Sequence, residues 1–333
     1  MTRNAILRSL TVMVLILGLL ILPACSPQET TETPPAVPMR IAALKGPTGM
    51  GLVKLMSDHE AGKTANDYSF SITGTPDDIV AMVSSGQVDI AALPTNMAAV
   101  LYQKTSKNIQ LLAINTLGVL YILEKGDTVN SLEDLRGREL FATGQGATPE
   151  YAINELLYKA GLLDDVTVTY KTEHEELATL AAAGQADLLL LPEPFVTTVL
   201  SKNTDLRIAL DLTKVWQDAH QGDSQSELAM GCMIVNKAFA AEYPQAVATF
   251  LDEYKTSVDT INQDPVTAAE WVVQYEIMGS AALAEKAIPN CHIVLIQGQE
   301  MQPVLDPFYQ VLFAANPKSI GGSMPDAEFY YVP

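Results

Sequence analysis

The chain has 333 residues, 48% of them hydrophobic and 18% charged, with a formal net charge of −19 at pH 7. That length and apolar content suit two globular domains of roughly 100–200 residues each and exclude a disordered chain. The acidic balance offers no electrostatic footprint for nucleic acid and no basic patch for an anionic membrane, and it steers anions away.

Taken in order, residues 1–24 read as a secretory signal. Arg3 and Arg8 form a positive end, Leu10 to Leu22 an apolar core, and Pro23-Ala24-Cys25 a cut site. The apolar run falls short of the roughly 20 residues a membrane span needs. The Leu22-Pro23-Ala24-Cys25 ending resembles a bacterial lipobox, which makes Cys25 the lipidated first residue of the mature chain. Residues 25–38, with prolines at 27, 34, 35 and 38, have no hydrophobic period and read as an extended tether.

The folded part begins near Met39 and uses one pattern twice. Gly86-Gln-Val-Asp89 leads into four apolar residues and Pro94; Gly184-Gln-Ala-Asp187 leads into four apolar residues and Pro192. A short apolar run between a glycine turn and a proline predicts a buried strand. Upstream, Ala42-x-x-x-Gly46-x-Thr48 lies over Ala142-x-x-x-Gly146-x-Thr148. The period of about a hundred residues is far longer than a solenoid unit and predicts two similar α/β domains.

In the first copy, strands are expected at 40–44, 68–73, 88–93 and 111–115, with helices at 52–61 and 77–85. Residues 45–51 form a Gly/Thr loop at a strand-to-helix turn, where backbone N–H groups at a positive helix end can hold a polar or anionic group. A plain βα turn has the same composition. Thr95 or Asn96 can cap the next helix or point into a crevice. Residues 117–123 are long enough to cross into the second domain. There, Ser131 to Gly137 is a capped turn, 140–143 a strand, and Pro149 to Ala160 a helix with Thr148 as its cap. Strands at 166–170, from 186 and at 206–210 complete the copy. Residues 231–235 are a strand returning to the first domain, and 239–258 and 266–274 are helical, broken at Tyr243-Pro244 and Asp264-Pro265. Residues 217–227 read as a polar loop, and the Gly/Pro-rich tail from Gly321, with Phe329-Tyr330-Tyr331, as surface packing. Asp89 and Asp187 are expected to organise the turn before each buried strand.

Several stretches together resemble a known family: Ser131-Leu-Glu-Asp-Leu-Arg-Gly137 with Gly144-x-Gly146, Ala183-Gly-Gln-Ala-Asp187, Pro192-Glu-Pro-Phe195 and Phe239-Ala-Ala-Glu-Tyr-Pro-Gln-Ala-Val247. They are similar to ABC-transporter substrate-binding lipoproteins of the nitrate/sulfonate/taurine and thiamine-precursor type, over most of 40–270. The resemblance implies two Rossmann-like α/β lobes joined by two crossovers, the type II periplasmic binding protein architecture. Lobe 1 is then 39–118 and 230–333, and lobe 2 is 119–229. Carried over by position, the pocket is lined by Gly46, Pro47, Thr48, Gly49 and Met50; by Thr95 and Asn96; by Asn115 and Thr116; by Gln145, Gly146, Ala147 and Thr148; and by Glu193, Pro194 and Phe195. These loops all follow strands, where ligands of open α/β sheets bind. They carry few charged or aromatic residues, unlike the best-known anion-binding members.

Other chemistry finds little footing. His59, His174, His220 and His292 have no metal spacing, and no dinucleotide fingerprint or nucleophile elbow marks a cofactor or a catalytic serine. Cys232 and Cys291 form a disulfide or remain two buried thiols. Glu150 and Glu193 converge as a carboxylate pair, or serve a helix N-terminus and the opposite lobe. Trp216 and Tyr121 pack near the hinge or stack on a planar ligand; Phe195 is the better placed aromatic. The expectation is therefore a non-enzymatic, extracytoplasmic, lipid-anchored monomer without cofactor or metal. It captures a small polar organic solute, a sulfonate-like anion ahead of a heteroaromatic thiamine precursor, for an ABC permease and its ATPase. The alternatives are a synthase or lyase on the same two-lobe fold, or a ligand-sensing lipoprotein without a transporter.

Overall fold

The computed structural model describes residues 36–220 and 226–332, and structural statements below concern those residues. The signal segment, Cys25, the tether up to Pro35 and residues 221–225 of the polar loop lie outside them.

The first sheet opens with β1 (Pro38–Leu44), a single helical turn α1 (Pro47–Met50) and α2 (Val53–Glu60). It continues with β2 (Asp67–Thr73), α3 (Pro76–Ser84), β3 (Ile90–Pro94), α4 (Thr95–Lys104) and β4 (Ile109–Thr116). β5 (Leu120–Lys125) enters a second sheet, built further from β6 (Glu139–Thr143), α5 (Thr148–Lys159), β7 (Thr167–Lys171) and α6 (His174–Ala182). β8 (Leu188–Pro192), α7 (Phe195–Lys202), β9 (Leu206–Asp211) and α8 (Leu212–Ala219) finish it. β10 (Gly231–Asn236) rejoins the first sheet, followed by α9 (Lys237–Glu242), α10 (Pro244–Gln263), α11 (Pro265–Gln274), α12 (Ala281–Ala287), β11 (Ile293–Gln297) and α13 (Met301–Ala315).

The strand orders are β11-β4-β10-β3-β1-β2 and β7-β6-β8-β5-β9. Counted from β2 and from β7, both sheets follow one plan over five strands, three parallel, then one antiparallel, then a fourth parallel one, and the first sheet adds β11 at its edge, antiparallel to β4. The antiparallel strand is in each case the one by which the chain arrives, β10 in the first sheet and β5 in the second. Helices supply the long crossovers that parallel neighbours require. The repeated strands β3 and β8 hold equivalent places beside β1 and β6, and their four apolar residues are buried on both faces.

Local chemistry explains most boundaries, and several expectations need correction. Pro38, assigned above to the tether, is the first residue of β1, a position that asks for no ladder N–H. Asp89 does not organise its turn; its carboxylate accepts from the Arg40 backbone N (2.9 Å) and from the Arg40 guanidinium (2.7 and 3.0 Å), binding β3 to β1. Thr148 is the first residue of α5 rather than its cap, which is Ala147. Phe329 is fully buried, its ring 4.9 Å from that of Tyr102, so the aromatic tail belongs to the core and not to the surface.

β1 shows how the core divides. Met39, Ile41 and Ala43 face one apolar cluster and Ala42 the other, the alternation a strand imposes. Cys232 lies in one cluster and Cys291 in the other, and both are free thiols, which settles the open question of pairing. The cluster containing Cys232 runs from the first sheet through α13 into α5 and α8 of the second, so the two lobes share apolar packing along one side.

Candidate functional site

The loops after β1, β3, β4, β6 and β8 gather where the lobes face one another. In the first, Gly46 adopts φ 115° and its carbonyl accepts from Gly49 N (3.0 Å) and Met50 N (2.9 Å). Those two amides close the α1 turn and are not free for a ligand. Pro47 and Thr48 are half-buried. Thr48 Oγ1 lies 3.4 Å from Leu44 O, and Thr48 O accepts from Asn115 Nδ2 (3.4 Å). Thr116 Oγ1 donates to Asn115 Oδ1 (3.2 Å), so Thr48, Asn115 and Thr116 form one polar group at the foot of the cleft.

Two residues that sequence reasoning missed complete this group. A Cβ at Gly231, the first residue of the return strand, would stand 2.5 Å from Thr48 Cγ2 and 2.9 Å from Asn115 Oδ1. Only glycine lets β10 pass this close. Tyr254, midway along α10, is fully buried with its hydroxyl unpartnered among the described residues, and burial pushes that phenol up. A glycine opening a predicted strand was a readable sign of close approach. Tyr254 sits in a stretch that carried only helical periodicity and gave no such sign.

Asn96 joins the lobes by side-chain hydrogen bonds. It is the second residue of α4 and 1% exposed. Its Nδ2 donates to Gly146 O (3.3 Å) and Ser319 O (3.2 Å), and its Oδ1 accepts from Thr148 Oγ1 (3.1 Å). The crevice role therefore prevails over the cap role, for Pro94 caps α4 and no side chain does. Its neighbour Thr95 is buried with Oγ1 unpartnered among the described residues, while Thr95 O accepts from Tyr309 of α13 (2.9 Å).

On the second lobe Gln145 and Gly146 are exposed and Ala147 is buried. Glu150 Oε2 accepts from Gly146 N (2.6 Å), so this Gly/Thr loop already has a carboxylate on its amide. Glu193, 2% exposed, accepts from Thr197 N (3.1 Å) and Thr197 Oγ1 (2.9 Å) and closes the first turn of α7. Burial pushes its carboxyl up, against the pull of those two bonds. Together with Asp211, Glu193 adds to the burial that pushes the Tyr121 phenol up to about 12. The two glutamates thus serve separate loops rather than one pair. Pro194 is buried, and Phe195 packs its ring 5.1 Å from that of His174. Trp216 is core, 4.3 Å from the His220 ring.

Among the described residues no three His, Cys, Asp or Glu side chains cluster as metal ligands, and no helix is long and apolar enough to cross a membrane. A cavity of about 1010 Å³ lies beside the cleft, between α5 and α13; none of the expected binding residues lines it.

The family model described as NMT1/THI5 like matches residues 70–268, from within β2 to the start of α11, which takes in both crossovers and the whole second copy but not β1 or the Gly46–Met50 loop. The chain belongs to the NMT1/THI5-like family. No curated protein matches it. Solved structures similar to this family member include an ABC transporter protein from Parabacteroides distasonis, at 24% identity and a TM-score of 0.74, covering 89% of this chain and 98% of that one. Another is the periplasmic aliphatic sulphonate binding protein SsuA from Escherichia coli, at 15% identity and 0.70, covering 89% and 92%. A third is the alkanesulfonate-binding protein SsuA from Xanthomonas axonopodis pv. citri bound to MOPS, at 15% and 0.66, covering 86% and 95%. These likenesses establish the periplasmic binding protein fold. In this member of the NMT1/THI5-like family the cleft residues named above offer hydroxyls, amides, backbone groups and the Glu193 carboxylate, with no lysine or arginine among them.

Proposed function

We propose that the chain is the solute receptor of an ABC importer, held outside the cytoplasm by lipid on Cys25. As a monomer it closes its lobes on a small polar organic solute and presents it to a permease and its ATPase. The observation that carries this reading is Asn96, which reaches from the first lobe to Gly146 and Thr148 of the second. Bonds between the two ligand-facing loops favour a closed arrangement, and hinge closure about two crossovers is how such folds work. Family and fold support the same role, and so do the neighbours described as sulfonate-binding or as part of ABC transporters.

The solute is bound through Thr48, Thr95, Asn96, Asn115, Thr116, Thr148 and Tyr254. Glu150 on the Gly146 amide repels an anion from the second-lobe loop, and no cationic side chain among these residues offsets it. This shifts the preference from a strongly anionic sulfonate towards a neutral or heteroaromatic solute that hydrogen-bonds to hydroxyls and amides. Native mass spectrometry of the purified protein, followed by a thermal-shift series of alkanesulfonates, pyrimidines and thiazoles, tests the proposal. A ligand-dependent rise in Tm, largest for a neutral heterocycle, is expected. No shift with any probe, together with turnover of one of them, would overturn the receptor reading in favour of an enzyme.

A further inference from the structure

The cavity between α5 and α13 has chemistry that the cleft does not use. One face of α5 supplies Tyr151, Glu155 and Tyr158, α13 supplies Pro307 and Val311, and His220, just after α8, lies at the inner end. Glu155 is 8% exposed and His220 is 4% exposed. His220 Nδ1 stands 2.9 Å from Trp216 O, a pure acceptor, so Nδ1 carries the proton in the neutral ring. Its Nε2 then has a lone pair, is buried and has no hydrogen-bond partner among the described residues. It faces Glu155 Oε1 at 3.6 Å. Two acceptors held this close in a low-dielectric wall repel each other unless a donor lies between them.

We infer that this cavity is a second small-molecule site, which takes an alkyl amine or guanidine with its cationic head between Glu155 and His220. A head with several N–H groups satisfies both acceptors at once. The carbon chain lies along Val311 and Pro307, with the tyrosine rings opposite. The volume of about 1010 Å³ admits such a molecule easily. The net charge of −19 draws cations to the surface, and Lys159, the one lysine among the described lining residues, is exposed at the outer part of α5. The site is distinct from the cleft and does not depend on the importer reading.

Calorimetry on the full chain at physiological salt, with agmatine and putrescine as probes and 1-butanol as the neutral control, tests the assignment. Both amines should bind and the alcohol should not. Glu155→Gln, which keeps the shape and removes the charge, should weaken amine binding at least tenfold. Val311→Trp, which fills the cavity from the α13 wall, should do the same without touching the acidic pair. Amide exchange should slow in α5 and α13 on adding agmatine. Absence of amine binding by the parent chain would overturn the proposal. Equal affinity in Glu155→Gln and the parent, or loss of binding in Asn96→Ala with retention in Glu155→Gln, would overturn it too.

Discussion

Asn96→Ala removes a side chain that bonds to the second lobe through both its oxygen and its nitrogen. Three hydrogen bonds go, to Gly146 O, Ser319 O and Thr148 Oγ1, of which the first and last cross the cleft. A net contribution of about 0.5–1.5 kcal/mol per bond places the cross-lobe loss at roughly 1–3 kcal/mol. The upper part of that range applies to Thr148, which is fully buried and whose hydroxyl is left without a partner, while Gly146 is exposed and its carbonyl regains water. Because these bonds exist only when the lobes meet, their loss acts on the balance between open and closed forms. Solute affinity should fall about 5- to 150-fold. Distance measurements between spin labels on α3 and α6 should show more of the open form in Asn96→Ala, with or without solute. A double-mutant cycle with Thr148→Val should give a coupling of about 0.5 kcal/mol or more. Unchanged distance distributions, with strictly additive effects in the cycle, would refute the closing role of Asn96.

Other predictions follow from the same side-chain geometry. Glu124, fully buried, accepts from Thr128, Val129 N, Arg138 and Arg207, and against the cost of burial the bonds from Thr128, Val129 and Arg138 bring its carboxyl from 4.5 to about 2. The stability it contributes, about 3 kcal/mol, is complete above pH 4.5 and is lost as pH falls towards 2; Glu124→Gln should remove that acid-dependent loss in denaturant titrations and lower stability at pH 7. Burial holds the His174 imidazole, 2.6 Å from Thr143 Oγ1, down at about 4 from an ordinary 6.5. Protons are then taken up first by the unfolded chain, so stability is full above 6.5 and falls as pH drops to 4; His174→Gln should flatten that stretch of the profile. Gly231→Ala drives a methyl into Thr48 and Asn115 and should cost about 1–3 kcal/mol in unfolding experiments. Thr48→Ser, which removes the nearer contact, should recover part of that loss.

The sequence displayed the plan of the fold well because the plan is written in local terms. Glycine turns at Gly86 and Gly184, with φ of 67° and 70°, and apolar runs ending at Pro94 and Pro192 are short-range signals, and they located the paired strands β3 and β8. The two crossings were legible for the same reason, since an extended apolar segment with no partner in its own copy must find one elsewhere. What stayed hidden depends on distant partners. Phe329 looked like a surface aromatic until Tyr102, far back in the chain, appeared beside it. Glu150 read as one of a carboxylate pair or as serving a helix N-terminus; it lies in the first turn of α5, and the partner that the sequence did not name is the backbone N–H of Gly146.

The cleft itself illustrates where that boundary falls. Equivalent loops in the two copies have diverged in function: Thr95-Asn96 reaches across to the other lobe, whereas Glu193 turns back on Thr197 and stiffens its own helix. One copy therefore supplies a side chain that senses closure and the other a rigid wall for it to close upon. A receptor needs this asymmetry, because two reaching loops would satisfy each other and leave no unpaired group for a solute, while two self-capped loops would give closure nothing to hold. The hydroxyls of Thr95 and Tyr254, unpartnered among the described residues, sit on the reaching side. Attempting to transfer the contact, by Asn96→Ala combined with Glu193→Gln, should therefore leave a folded protein that closes poorly and does not regain affinity, since the new amide at position 193 remains tied to Thr197. Recovery of solute binding in that double variant, measured by calorimetry against Asn96→Ala alone, would show that the wall rather than the reaching loop governs closure.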